Sequence, residues 1–134
     1  MKKMIPIPKD ALFYISTGEY SDYCVTGVFR ALQEIDADSL LARAERLGAR
    51  FRERLAALQA RCPSIQEVRV KGAMIGIELS TDGTPIVSQC LERKLLINCT
   101  HGTVLRLLPA MNLTDAQMEE GCDILEAVLL ANKG

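Results

Sequence analysis

From Leu40 to Leu58 the apolar residues return every three or four positions: Leu40, Leu41, Ala44, Leu47, Gly48, Phe51, Leu55 and Leu58. That spacing draws a single apolar stripe along a helix, and such a stripe must be covered by another element to be stable in water. The spacing predicts a helix that begins after Asp36, capped by Asp38 or Ser39, and is stopped by Pro63. Just beyond Pro63 the period changes to two. Val68-Arg69-Val70 and Ala73 to Leu79 read as strands around Lys71-Gly72. A helix that needs cover, followed at once by strands able to supply it, limits the chain to a layered mixture of helix and sheet.

The rest of the chain continues this alternation. Thr84-Pro85 reads as a capping hydroxyl followed by proline at the first helical position, with Ile86, Val87, Cys90 and Leu91 inward. That helix is expected to end near Arg93-Lys94, where positive charge suits a helix carboxyl end. Leu95 to Asn98 and Val104 to Leu108 read as two more strands, joined by the turn Thr100-His101-Gly102-Thr103. Thr114-Asp115-Ala116-Gln117 is a capping box that opens a last helix, with Met118, Cys122, Leu125, Val128 and Leu129 on its inner side. Ahead of the long helix, Cys24, Val25, Val28, Phe29, Leu32 and Ile35 also fall at helical spacing, although Gly27 weakens that helix by about 1 kcal/mol relative to Ala. The expected organisation is an extended lead-in over residues 1–19, a linking helix over 20–35 and a domain over 36–134. Its fold class is α+β, an α/β sandwich whose small, mostly antiparallel sheet carries helices on one face.

Several function classes are disfavoured. Sixteen basic and 17 acidic side chains leave a net charge of −1, and there is no Trp, so neither a positive surface nor a set of stacking aromatics speaks for nucleic acid. Arg43, Arg46, Arg50, Arg54 and Arg61 do crowd the long helix, yet in a chain of this balance they read as a solvated face. No apolar run approaches the roughly 20 residues of a membrane span, and Pro6, Pro8, Lys9 and Asp10 interrupt the place where a signal peptide needs its apolar stretch. The five cysteines are scattered, odd in number and never in a CxxC pair, which argues against a disulfide framework or a zinc site. A reducing compartment, the cytoplasm, is expected, although a mitochondrial matrix would leave the same pattern.

Among residues able to carry chemistry, Arg106 is the most informative. It stands mid-strand among apolar neighbours, where a charge is costly unless paired. Its planar fork suits a carboxylate, which it can grip with two parallel hydrogen bonds. Two other readings remain open: an internal ion pair, for instance with Glu78, or an arginine at a sheet edge. His101, the only histidine, reads as a surface turn residue without ligand partners. Lys71-Gly72 could meet an anion or simply form a turn, and nothing around Cys99 argues for an activated thiol.

The stretches Val68 to Leu79, Leu91 to Asn98 and Thr100 to Thr114 resemble the small carboxyl-terminal domain of class III aminotransferases, most closely the acetylornithine and ornithine aminotransferases. The last stretch is the most specific: a turn, an arginine-bearing strand, Pro109 and a capped helix in the family's order. Upstream, Ser16-Thr17 lines up with the family's Ser-Thr-Phe-Gly-Gly-Asn-Pro segment, although Gly18 to Asp22 departs from it and Val70 replaces a usual glycine. The resemblance implies the small-domain fold of fold-type I pyridoxal-phosphate enzymes. It implies that Arg106 binds a substrate carboxylate and that Thr17 touches the cofactor phosphate across a dimer interface. In the complete enzyme it implies pyridoxal phosphate, an amino donor of ornithine type, 2-oxoglutarate as acceptor and a role in arginine biosynthesis.

None of Lys2, Lys3, Lys9, Lys71, Lys94 or Lys133 matches the family's Schiff-base lysine, which lies in a large domain expected to precede Ser16. The chain alone is therefore expected to be incompetent and to bind no cofactor, with the large domain or a second copy as partner. A non-catalytic module that self-associates through the helix over 20–35, or a carboxylate-sensing domain, are the alternatives.

Overall fold

The computed structural model describes residues 30–33, 35–36 and 39–132. The expected lead-in over 1–19 and most of the expected helix over 20–35 lie outside the described residues; residues 30–33 and 35–36 are helical. The domain proper runs α1 (Leu40–Gln59), β1 (Ile65–Lys71), β2 (Met74–Leu79), α2 (Thr84–Glu92), β3 (Asn98–Thr100), β4 (Val104–Leu107) and α3 (Asp115–Ala131). The four strands form one sheet in the order β1-β2-β4-β3, and every neighbouring pair is antiparallel. The expected α+β class is the one observed.

Among the described residues the sheet has one dry side and one open side. Ile75, Ile77 and Leu79 of β2 and Leu105 of β4 are buried in the same cluster as Leu47, Phe51 and Leu55 of α1 and Met118, Leu125 and Val128 of α3. Alternate residues of the same strands point the other way, and Arg69, Met74 and Arg106 are exposed. This alternation follows from the two-residue period of a strand. It is what places chemistry on the uncovered side.

The long helix buries Ala44, Leu47, Gly48, Phe51, Leu55 and Leu58, six of the eight residues in its predicted stripe. Leu41 is instead 65% exposed. Ser39 precedes the helix in a left-handed conformation and makes no side-chain cap; its carbonyl accepts from Arg43 N at 3.0 Å. Asp38 lies outside the described residues. At α2 the cap position belongs to Gly83 rather than Thr84, and the Asp82 carboxylate accepts from the Thr84 amide at 3.0 Å and its hydroxyl at 2.7 Å. Leu91, expected inward on α2, is 59% exposed. The capping box of α3 forms as the sequence predicts: the Gln117 amide donates to Thr114 Oγ1 at 3.2 Å, and the Thr114 amide donates to Gln117 Oε1 at 3.1 Å.

One strand is displaced from its expected position. Residues 95–98 were the predicted strand, yet pairing begins only at Asn98. The end of α2 explains the shift. Lys94 adopts a positive φ of 66°, and the amides of Lys94 and Leu95 turn back to the carbonyls of Leu91 and Cys90, each at 2.9 Å. Backbone engaged in closing a helix cannot also run extended beside β4.

The Arg-rich side of α1 is not an unoccupied basic surface. Arg43 pairs with Asp115 at 2.7 Å, Arg50 with Glu119 at 2.7 Å, and Arg61 with Glu126 at 2.7 Å. Arg54, the least exposed of those on the middle of the ladder, bridges Glu119 at 2.5 Å and Asp123 at 2.6 Å. The acidic side of α3 thus answers the basic side of α1 along its length. A ladder of this kind orients two helices more than it stabilises them, because each partly exposed pair is worth only about 0–1 kcal/mol. No helix among the described residues is long and apolar enough to cross a membrane.

Candidate functional site

Arg106 stands at the middle of β4, which is an interior strand, so the sheet-edge reading does not apply. Its neighbour Leu105 is fully buried among the helices, and the alternation of the strand turns Arg106 to the open face. The expectation of a charge buried in an apolar strand is therefore corrected. The strand is apolar because its other residues line the core, while the arginine stands at the surface.

The antiparallel register draws a row across this face: Arg69 of β1 opposite Gly76 of β2, Gly76 opposite Arg106, and Arg106 opposite Asn98 of β3. The two arginines have different surroundings. The Arg69 guanidinium donates to Glu67 and, at 2.8 Å, to Glu78. Glu78 also accepts from the Thr103 hydroxyl at 3.2 Å. Arg106, among the described residues, has only its Nε engaged, donating to the neutral Asn98 Oδ1 at 3.3 Å. Among the described residues no carboxylate pairs with it, so the internal ion pair with Glu78 does not form. Register explains why: Glu78 lies opposite Val104, two residues along β4 from Arg106.

Between the two guanidinium groups runs a shallow groove of about 310 Å³, lined by Arg69, Met74, Gly76, Thr100, Val104 and Arg106 among others. Its walls are largely aliphatic and its charge is cationic. A guanidinium with its terminal nitrogens unengaged, beside apolar walls, can grip a carboxylate and let an aliphatic chain lie along the groove.

Glu78 makes the electrostatics of this face testable. The Arg69 guanidinium, with help from Thr103 and the charge of His101, holds its carboxyl below the ordinary 4.5. A carboxylate whose pKa is depressed by folding adds stability above its unfolded pKa, and that stability is lost as pH falls through the folded value. Glu78→Gln should therefore melt below the unaltered chain near neutral pH, and the gap should close as pH falls from 4.5. Melting temperatures at about pH 7 and about pH 3 decide this; a gap of equal size at both would show that packing, not charge, sets it.

The other sequence candidates separate clearly. His101 is exposed, with φ 54°, and forms a tight turn with Gly102 at φ 78°. The described residues contain no cluster of His, Cys, Asp or Glu able to hold a metal ion. Gly72, with φ 54°, lies against α1 at Gly48, so the Lys71-Gly72 turn is a packing element and not an anion cradle. Cys99 is half-buried on the inner side of the sheet next to Gly83 and Leu105. Burial pushes the Cys90 thiol up and the Cys122 thiol up to about 11, which keeps both protonated and unreactive. Thr17 lies outside the described residues. Arg69, Gly76 and Asn98 were not picked out from the sequence. Their signal is the two-residue alternation combined with strand register, and register is not visible in a single sequence.

Among the described residues, a layer of helices behind a four-stranded antiparallel sheet, with an arginine that meets no carboxylate on the open face, makes a small α+β domain. The chain belongs to the class-III aminotransferase family, whose model matches residues 24–129. It is 36% identical over 107 residues to acetylornithine aminotransferase of Caldanaerobacter subterraneus subsp. tengcongensis, covering 79% of this chain and 27% of that protein. It is 43% identical over 81 residues to ornithine aminotransferase 1 of Staphylococcus aureus, covering 60% of this chain and 20% of that protein. The ornithine aminotransferase of Toxoplasma gondii, whose active site holds PLP at partial occupancy, superposes with a TM-score of 0.72 at 30% identity, over 75% of this chain and 25% of that one. Acetylornithine aminotransferase from Elizabethkingia anophelis superposes with a TM-score of 0.77 at 26% identity, over 87% of this chain and 33% of that one. The chain spans about a quarter of the length of the curated relatives it matches.

Family membership implies pyridoxal phosphate in a complete enzyme, so the described residues can be tested against it. The cofactor needs a lysine for its Schiff base and an acid for its ring nitrogen. The described lysines, Lys71 and Lys94, are both exposed, Lys71 at the β1–β2 turn and Lys94 at the end of α2. The acids of the open face, Glu67 and Glu78, are both engaged by Arg69. These residues do not build a site for the cofactor.

Proposed function

We propose that the chain is the small, carboxyl-terminal domain of an acetylornithine- or ornithine-type aminotransferase, and that Arg106 is its contribution to substrate binding. One observation carries this reading: among the described residues, on a face where Arg69 is matched by two carboxylates, Arg106 has none and meets only Asn98. A charge left without a counter-charge beside an apolar groove favours an anionic ligand, and a substrate carboxylate fits its fork. In a complete enzyme, pyridoxal phosphate held by a lysine and an acid of a large domain would supply the chemistry of amino transfer between the donor and 2-oxoglutarate. This domain supplies orientation, holding the substrate so that its reacting end faces the cofactor.

On this reading the 134-residue chain contributes substrate binding but not the Schiff-base lysine, and alone has no activity. Purified and incubated with pyridoxal phosphate, it should show no absorption band of a protein-bound Schiff base after dialysis. It should also form no glutamate from ornithine or acetylornithine and 2-oxoglutarate. A retained cofactor band together with turnover would overthrow the assignment of the chemistry to a separate large domain.

A further inference from the structure

The glycines of this domain fall into two groups. A methyl carbon on Gly83 would come within 2.8 Å of Cys99 Sγ, one on Gly48 would strike the Gly72 backbone, and Gly72 and Gly102 hold positive φ angles. Each of these glycines has a reason in the fold itself. Gly76 has none. Its φ is not in the left-handed region, and a methyl carbon there would lie 3.8 Å from Val104 Cγ1 and 3.9 Å from Arg69 Nε, ordinary contact distances. Yet it sits in the interior strand β2, hydrogen-bonded on both sides, where glycine weakens a strand by adding backbone freedom and giving nothing to pack. A glycine kept mid-strand at a cost, with no steric reason inside the fold, marks a place that something else approaches closely.

Gly76 lies in the groove, directly between Arg69 and Arg106 in the cross-strand row. We infer that Gly76 is a specificity-determining residue: its missing side chain is the room in which the carboxylate end of a small aliphatic amino or oxo acid lies against Arg106. The inference rests on the carboxylate-binding reading of Arg106 given above. Geometry confines the occupant. Side chains on one face of neighbouring antiparallel strands stand about 4.5–5.5 Å apart at their β carbons, so a side chain at position 76 would stand beside Arg106 and compete for the space over its guanidinium. Arg69 borders this space, its Nε 3.9 Å from the position of the missing methyl, and its guanidinium is held there by Glu67 and Glu78. The residue at 76 thus sets how wide a ligand the groove admits without touching the ligand's charge.

The experiment is a titration of the intact 134-residue chain with 2-oxoglutarate, followed through the Nε–H resonance of Arg106. The unaltered chain should give a saturable shift. Gly76→Ala should weaken binding a few-fold and Gly76→Val at least ten-fold, with melting temperatures no lower than that of the unaltered chain, since both side chains suit a strand better than glycine does. Arg106→Lys serves as the control for the underlying reading, with 2-oxoglutarate binding then followed by the shifts of backbone amides in β4. If Gly76→Val binds within two-fold of the unaltered chain while Arg106→Lys has lost binding, the carboxylate reading stands and the role given to Gly76 is wrong. If the unaltered chain shows no shift, or Arg106→Lys binds equally well, the carboxylate reading itself has failed and the role of Gly76 goes with it. Should Gly76→Val fail to fold, Gly76→Ala decides alone: a few-fold loss supports the role and unchanged affinity refutes it.

Discussion

Replacing Gly48 with alanine should destabilise the domain by about 2 kcal/mol, despite the better helix propensity of alanine. The added methyl carbon would fall closer than 3.0 Å to the Gly72 carbonyl oxygen and 3.1 Å from its carbon. Both are backbone atoms. They belong to the turn between β1 and β2, which is held by a positive φ at Gly72 and by the Lys71–Met74 pairing below it. A flexible side chain could swing away, but this turn can move only if α1 lifts from the sheet, and α1 contributes Leu47, Phe51, Leu55 and Leu58 to the core. Overpacking in a site that cannot yield costs typically 1–3 kcal/mol and sometimes more, against a gain of about 0.8–1.0 kcal/mol from glycine to alanine in a helix. The companion substitution Gly121→Ala isolates the two effects. Gly121 is also inside a helix, but its added methyl would meet only Leu95 Cδ1 at 3.6 Å. It should be neutral or stabilising by up to about 1 kcal/mol. Urea unfolding of both variants is the measurement, and equal midpoints for the two would remove the close approach of α1 and the turn from the account.

Gly48 also shows what can and cannot be read from one sequence. The stripe containing it was legible because helical spacing is local, and six of its eight residues are buried as expected. Nothing in that stripe could tell that Gly48 is held to glycine by Gly72, 24 residues later, since that contact exists only after helix and sheet have docked. The same division runs through the site. The strand around Arg106, the turn at Gly102 and the capping box at Thr114 all rest on near neighbours, and they are observed. The row Arg69–Gly76–Arg106–Asn98 rests on the register of three strand pairs and was invisible. So was the ladder between α1 and α3, whose ion pairs join residues about 65–72 positions apart. The displaced β3 is the instructive miss. Leu95-Leu96-Ile97 has strand composition, yet Lys94 and Leu95 spend their amides on closing α2, and hydrogen-bond demand at a helix end outweighs side-chain preference.

The largest functional effect is expected at Arg106, and its structure makes the test unusually clean. Had the arginine been half of an internal ion pair, Arg106→Ala would strand a partner charge and unfold the domain as well as disturb binding. Among the described residues its one hydrogen bond is to the neutral Asn98, on the exposed face, which removes that complication. In the isolated chain the substitution should change stability by no more than about 0.5 kcal/mol, the usual range for a surface position. In a complete enzyme carrying this sequence as its small domain, removal of a charged group that grips a desolvated carboxylate costs about 3–4 kcal/mol. At 1.36 kcal/mol per factor of ten, that is a fall of roughly two to three orders of magnitude in kcat/KM for 2-oxoglutarate. Affinity for pyridoxal phosphate should stay within about two-fold, because no described residue near Arg106 offers a phosphate site. Arg106→Lys should recover only part of the loss, since a single ammonium keeps the charge but not the two-pronged geometry. Steady-state kinetics with both oxo-acid and amino donor, beside a cofactor titration and a melting curve, separate the possibilities. Parallel losses of cofactor and substrate affinity, or a variant that melts several degrees early, would mean that Arg106 supports the fold and that the carboxylate is held elsewhere.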